Sequence, residues 1–210
     1  MGMSEDLKEC GRVLVEQRLT WGQSGNISAR VEPNLFLISA GGMDLGALRD
    51  EDLTRCRIDR EEWEGARRPS METGFHRGIY RTCEDAGVVI HSQPFYSTLV
   101  ACSDMEIRTD FLPEAMAYLD RIERVPYHHA GSRELAEAIT ARASVSRILL
   151  LDNHGVVCWA SSLDEALLLT QTMEFCCCLL VTSRSNNISF KYLGWDVVED
   201  FHRHLKGIGR

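Results

Sequence analysis

Apolar and polar positions alternate along the chain with two periods, and their succession predicts the elements. From Ser4 the apolar residues Leu7, Cys10, Val13 and Leu14 mark one face of a helix, with Ser4 as N-cap and an end near Thr20-Trp21-Gly22. Gln23 to Arg30 is a polar glycine turn passing into a strand, and Leu35–Ala40 is a second strand, broken by Gly41-Gly42. The charged stretch from Asp44 to Glu64 predicts loop, short strand and turn. Helical periodicity returns after Pro69-Ser70 and runs to about Cys83. Gly87 then lets the chain turn into the apolar strand Val88–His91.

A helix is expected over Tyr96–Cys102, whereas Asp104–Tyr127 has no readable period. Ser132 caps a helix from Glu134 to about Ala143. Ile148–Leu151 and Val156–Trp159 read as strands flanking Asp152-Asn153-His154-Gly155. Ser162-Leu163-Asp164-Glu165 is a capping box that opens a long helix to about Thr182, and a short helix covers Asp196–Leu205. Helices and strands alternate without repeats, so the expectation is one α/β domain over residues 1–210.

Composition narrows the function classes. With 44% hydrophobic and 26% charged residues, a substantial core can form. The net charge of −8 lacks the basic footprint of a nucleic-acid binder. Only three lysines occur (Lys8, Lys191 and Lys206), so Schiff-base chemistry has few candidates. Eight cysteines without a Cys-x-x-Cys pair disfavour a zinc ribbon and fit packing residues in a reduced, cytoplasmic protein. The N-terminus shows no basic and apolar leader, and no apolar run reaches the roughly 18 residues that span a bilayer.

Four segments hold candidate chemistry. In His91-Ser92-Gln93 the imidazole and the amide face one side of a strand end, although single histidines in such places are more often satisfied core residues. Asp152-Asn153-His154-Gly155 either positions an imidazole or is simply a hairpin turn. In Ser70-Met71-Glu72, Ser70 as N-cap places Glu72 in the first helical turn. There it either complements the helix dipole or carries a proton beside a metal, and His76 follows on the same face. Ser24-Gly25-Asn26 and Ser39-Ala40-Gly41-Gly42 have the small residues of a phosphate nest, yet match neither a Walker loop nor the dinucleotide fingerprint. His128 and His129 would point to opposite faces of a strand, and His202 and His204 are expected to be solvated.

The order of these segments resembles the class II aldolase/adducin family. It runs from Gly25-Asn26-Ile27-Ser28-x-Arg30 through Leu37-Ile38-Ser39-Ala40-Gly41-Gly42 and Ser70-Met71-Glu72-x-x-x-His76 to Val89-Ile90-His91-x-Gln93-Pro94 and Asn153-His154-Gly155-Val156-Val157. The likeness spans roughly residues 4–182. It implies a three-layer α/β/α sandwich around a central, mainly antiparallel sheet, and a homotetramer with sites between subunits. It implies a divalent metal, zinc first, held by His91, Gln93 and His154. Glu72 is then the proton carrier, and Gly25, Asn26, Gly41, Gly42, Ser70 and Met71 bind substrate or phosphate.

The implied function is metal-dependent retro-aldol cleavage of a sugar phosphate or related hydroxy-ketone through a metal-stabilised enediolate. Decarboxylation, dehydration or epimerisation by the same metal logic, and a non-catalytic adducin-like scaffold, are the alternatives. The expected partner is a small molecule, with neither nucleic acid nor membrane. Three positions depart from the family pattern. Gln93 stands where a histidine is usual, which points to weaker zinc affinity or an oxygen-preferring ion. Met71 and Gly41 replace hydroxyl residues. The proton-donating tyrosine of some members has no match, since an ungapped count places Leu112 there and leaves Tyr118 and Tyr127.

Overall fold

Side chains alternating between two buried faces in the central strands decide the layering. In the computed structural model, which describes residues 2–207, strand β1 (Asn26–Glu32) sends Ile27 and Ala29 to one face and Asn26 and Ser28 to the other. Strand β5 (Val88–Ser92) does the same, with Val88 and Ile90 on the first face and Val89 and His91 on the second. The sheet is completed by β2 (Leu35–Ser39), β3 (Leu53–Arg57), β4 (Trp63–Glu64), β6 (Ile122–Val125), β7 (Ile148–Leu151) and β8 (Gly155–Ala160). Its order is β4-β3-β2-β1-β5-β8-β7-β6, antiparallel throughout except for the parallel pair β6 and β7.

Helices cover both faces, giving the expected α/β/α layers. On the first face lie α1 (Met3–Glu16), α3 (Phe95–Ala101), α4 (Pro113–Tyr118) and α6 (Leu163–Ser185). Their core joins Leu7, Leu14, Val100, Ala115, Leu169 and Met173 to Ile27 and Ile90. On the second face α2 (Thr73–Thr82) and α5 (Arg133–Ala143) pack Phe75, Ile79, Leu135 and Ile139 against Phe36, Val89 and Val157. Each such fully buried side chain contributes about 1.5–3 kcal/mol relative to exposure. The C-terminal α7 (Trp195–Gly207) rests on α4.

Several local expectations are corrected. Helix α1 starts at Met3 without a side-chain cap, because Ser4 Oγ donates to Asp50 instead. It ends at Glu16 rather than near Thr20. Ser162 does accept from the Glu165 N–H, but the Glu165 carboxylate returns to Ser161, so the box is not reciprocal. The unreadable stretch holds α4 and β6, both too short to show a period.

Helix α6 is long and apolar enough to cross a membrane, contrary to the expectation of no such run. It is a core helix here, with Leu169, Met173, Cys176 and Cys177 buried. All eight cysteines are free. Six are buried as packing residues, but Cys102 is exposed and Cys178 half-buried.

Candidate active site

Three strand ends converge beside the start of α2. Asn26 opens β1 and pairs with His91 near the end of β5, and His91 pairs in turn with Val157 of β8. The β7–β8 turn, Asp152-Asn153-His154, therefore closes over the same edge. Asn153 takes the left-handed conformation, φ 54°, that asparagine tolerates. Its N–H donates to the Ala101 carbonyl at 3.0 Å. Arg124 binds Asp152 and the carbonyls of Val100, Ala101, Ser103 and Met105, tying the turn to the end of α3. The hairpin turn and the positioned imidazole are one and the same feature.

Two glycines permit the crowding. A Cβ on Gly25, whose φ is +78°, would lie 2.6 Å from the His91 carbonyl. One on Gly155 would lie 2.6 Å from the Ser92 carbonyl and 2.9 Å from Gln93 Cγ, which shows Gln93 lying against the His154 turn.

Glu72 is brought to this edge by a turn rather than by a helix. Ser70 is not the N-cap: its carbonyl accepts from Thr73 N–H and its Oγ from Glu72 N–H, so α2 begins at Thr73 with Glu72 in the cap position. The carboxylate is buried. Oε2 accepts from Asn26 Nδ2 at 2.9 Å, while Oε1 has no hydrogen-bond partner.

His154 Nε2 stands 3.3 Å from Oε1 and His91 Nε2 3.4 Å from Oε2. His91 Nδ1 donates to the Val156 carbonyl at 3.0 Å, which aims its Nε2 at the carboxylate. Burial, and then the neighbouring His91, push the His154 imidazole down to about 4 against the opposing pull of Glu72, so it is neutral at pH 7. One potential ligand atom each from Glu72, His91 and His154 thus lies within 4.8 Å of the other two. Two imidazole nitrogens and a carboxylate whose buried Oε1 has no partner suit a divalent cation, and could hold one.

The class II aldolase and adducin N-terminal domain matches residues 5–181. The chain belongs to that family. At full length it is similar to the 5-deoxy-D-ribulose 1-phosphate aldolase of Bacillus thuringiensis, 28% identical over 98% of this chain and 96% of the relative. It is equally similar to the 3-oxo-tetronate 4-phosphate decarboxylase of Haemophilus influenzae, 29% identical over 98% and 99%. The L-fuculose phosphate aldolase of Methanocaldococcus jannaschii is 30% identical over 83% of this chain and 92% of its own. Among solved structures, an L-fuculose 1-phosphate aldolase superposes with a TM-score of 0.87 at 26% identity, covering 97% of this chain and 95% of its own. YgbL of Klebsiella pneumoniae superposes with a TM-score of 0.88 at 27% identity, covering 95% and 97%.

In this class II aldolase-family chain the glycine loops gather beside Glu72. Asn26 Nδ2 donates to Ser70 Oγ at 3.1 Å, a Gly41 Cβ would lie 3.7 Å from Ser70 Cα, and Gly42 adopts φ +73° near Gln23. Met71 is 72% exposed and packs against Gly131, so its side chain faces the solvent side of the loop cluster.

Leu112 packs on the core, Tyr118 lies on α4, and Tyr127 bonds to His129 Nδ1 at 3.1 Å. Among the described residues none of the three hydrogen-bonds to Glu72, His91 or His154. His128 and His129 follow the end of β6 and lie in a loop, not on a strand. His202, expected to be solvated, is half-buried and donates to the Met116 carbonyl at 2.7 Å.

Sequence reasoning missed Arg124 and Glu174. No motif marks Arg124. Glu174 accepts from Tyr96 N–H, Ser97 N–H and Ser97 Oγ, capping α3 directly after Gln93-Pro94.

Proposed function

We propose that this protein is a metal-dependent lyase that cleaves a C–C bond in a phosphorylated hydroxy-ketone by retro-aldol chemistry. The observation that carries the reading is the buried Glu72 carboxylate, with one oxygen unpartnered and two imidazoles 3.3 and 3.4 Å away. His91 and His154 would hold the cation, with Gln93 at the edge of the same turn as the additional oxygen ligand. Glu72 then carries the proton. A divalent cation, zinc first, supplies Lewis-acid withdrawal of charge from the substrate carbonyl.

The residues of the chain do the rest. Glu72 accepts the substrate hydroxyl proton as the C–C bond opens to an aldehyde, and returns a proton to the ketone-derived carbon. The loops of Gly25-Asn26, Gly41-Gly42 and Ser70-Met71 bind the phosphate. This supplies local donors in a protein whose net charge would otherwise repel an anion.

A second reading, decarboxylation of a phosphorylated 3-oxo acid, is favoured by the full-length likeness to the Haemophilus influenzae decarboxylase. Both reactions generate a carbanion next to a polarised carbonyl. A non-catalytic scaffold fits less well, since an orphaned buried carboxylate oxygen costs stability that a decayed site has no reason to retain.

The exposed Phe95 and Leu99 of α3 and Phe175 of the adjoining α6 support a homo-oligomer, testable by light scattering. The free cysteines support a reduced, cytoplasmic setting. The deciding experiment is metal analysis of the purified protein. It is followed by a metal-reconstituted screen of ketose 1-phosphates, their unphosphorylated analogues and phosphorylated 3-oxo acids. Aldehyde release without carbon dioxide supports the aldolase reading, and carbon dioxide release replaces it with the second. Failure to bind any divalent ion overturns both.

A further inference from the structure

The sheet face that carries Asn26 and His91 also buries polar groups that the lyase reading leaves unused. Ser28, His76 and Tyr80 are at most 2% exposed, where no water can repair a mismatched donor or acceptor. Tyr80 Oη lies 2.8 Å from Ser28 Oγ, and Ser28 Oγ lies 2.7 Å from His76 Nδ1. His76 Nε2 lies 2.5 Å from Asn26 Oδ1. Asn26 Nδ2 then reaches Ser70 Oγ and Glu72 Oε2. A continuous chain of hydrogen bonds runs from Tyr80 under α2 to the carboxylate.

Distances alone leave each donor open, but the two ends of the chain do not. At the far end Ser28 Oγ is, among the described residues, the one hydrogen-bond partner of the buried Tyr80 hydroxyl, so the phenolic O–H is satisfied by donating to Ser28. At the near end a carboxylate can only accept, so Asn26 must turn its NH₂ toward Glu72 and its carbonyl toward His76. That carbonyl requires a proton on His76 Nε2. Burial first, and then His91, hold this imidazole well below its ordinary value, so Nδ1 stays bare and takes the Ser28 O–H.

Both ends demand one polarity, with every bond donating toward Glu72. The reverse polarity would set the Asn26 carbonyl 2.9 Å from a carboxylate oxygen. The same accounting reaches Ser70. Its oxygen accepts from Asn26 Nδ2 and from Glu72 N–H, so its own O–H is left to donate to something outside the chain, beside the Gly41 loop.

We propose that His76 is the positioning residue of this site: fixed as the Nε2–H tautomer by Ser28 and Tyr80, it orients the Asn26 amide. Through that amide it sets Glu72 against His91 and His154 and turns the Ser70 hydroxyl into a donor for a bound anion. What is being positioned rests on the lyase reading; the tautomer does not.

The experiment uses the full chain with ¹⁵N-labelled histidine, both metal-free and zinc-loaded. A long-range ¹H–¹⁵N correlation reads each imidazole's tautomer, and the His76 signals are identified by their loss in His76→Gln. The Nε2–H form is expected at neutral pH in both samples, and the Nδ1–H form overturns the proposal whether or not the protein cleaves anything.

The kinetic arm compares His76→Leu, which removes both contacts, with His76→Gln, whose amide offers one donor and one acceptor. His76→Leu is expected to lower kcat about 10–100-fold, the usual range for a residue that orients a functional group through another. His76→Gln is expected to recover most of that loss. Equal loss in both variants means that packing alone matters, and no loss in His76→Leu means that nothing is positioned; either overturns the proposal. If the wild-type chain cleaves no substrate, the lyase reading fails by itself and the tautomer still decides the orientation. The tautomer also decides if His76→Leu fails to fold.

Discussion

Glu72→Gln should make the metal-free protein more stable while abolishing its chemistry. Glu72 Oε1 is buried without a hydrogen-bond partner and lies 3.3 Å from His154 Nε2. A glutamine can keep its carbonyl on Asn26 Nδ2 and place its NH₂ where Oε1 was, donating to His154 Nε2, which a neutral imidazole offers as an acceptor in its Nδ1–H tautomer. Satisfying a buried unpaired acceptor recovers about 1–3 kcal/mol. Against this, the Asn26 bond loses its charge assistance, worth about 1 kcal/mol from the difference between charged and neutral hydrogen bonds. The net expectation is about 1 kcal/mol of added stability, or about 2–4 °C in Tm for a chain of this size.

The assay is urea unfolding of chelator-treated wild-type and variant protein at one fixed protein concentration, so that any assembly contributes equally. Divalent metal content and lyase activity are measured alongside. Zinc affinity should fall by at least about tenfold and activity by more, since the proposed function makes the carboxylate both anion and proton carrier. A Glu72→Gln protein that is less stable than wild type without metal would refute the claim that the carboxylate is held against its own stability.

Other expectations follow from the same contacts. Glu174→Ala leaves the Tyr96 and Ser97 N–H groups of α3 uncapped and should cost about 1–2 kcal/mol in urea unfolding, with Glu174→Gln losing less because one acceptor remains. Arg124→Leu frees the Asp152 turn from the end of α3. It should lower zinc affinity in a chelator competition more than it lowers global stability, because His154 rides on that turn. Gly25→Ala meets both φ +78° and the His91 carbonyl, and should cost more than the roughly 1 kcal/mol of an ordinary strained alanine, read by thermal melting.

Acid should also reveal Asp110, which Arg108 first, and then the Gly194 N–H, hold below the ordinary 3.8 against the opposing effect of burial. A carboxyl lowered in the folded state contributes stability that is fully present above pH 3.8 and is lost as pH falls through its folded value. Asp110→Asn should therefore flatten the stability profile in that acid range and lower its neutral part by a constant amount through the lost ion pair.

By itself the sequence determined the layers and the company each candidate keeps. Alternation in Asn26–Ala29 put Asn26 and Ser28 on one face of their strand, whereas Val88–Ile90 is apolar on both faces and only the pairing of Asn26 with His91 set the imidazole beside them. The motif order identified the family that the match over residues 5–181 bears out. Short α4 and β6 stayed illegible, since four to six residues complete too little of a period to be told from a loop.

Of the caps, Ser4 turned to the distant Asp50, whereas Ser70 was drawn into a local turn with Glu72 and Thr73 and the Glu165 carboxylate went to the neighbouring Ser161. Only the tertiary structure decided that Glu72 would be buried with one oxygen unanswered, that Arg124 would hold the His154 turn, and that Tyr80, Ser28, His76 and Asn26 would line up behind the carboxylate. Those facts depend on donors and acceptors brought together from 28 to 52 positions apart, a coincidence in space that no local pattern encodes. Burial then forces each of those polar groups to find a partner or bear the cost of lacking one.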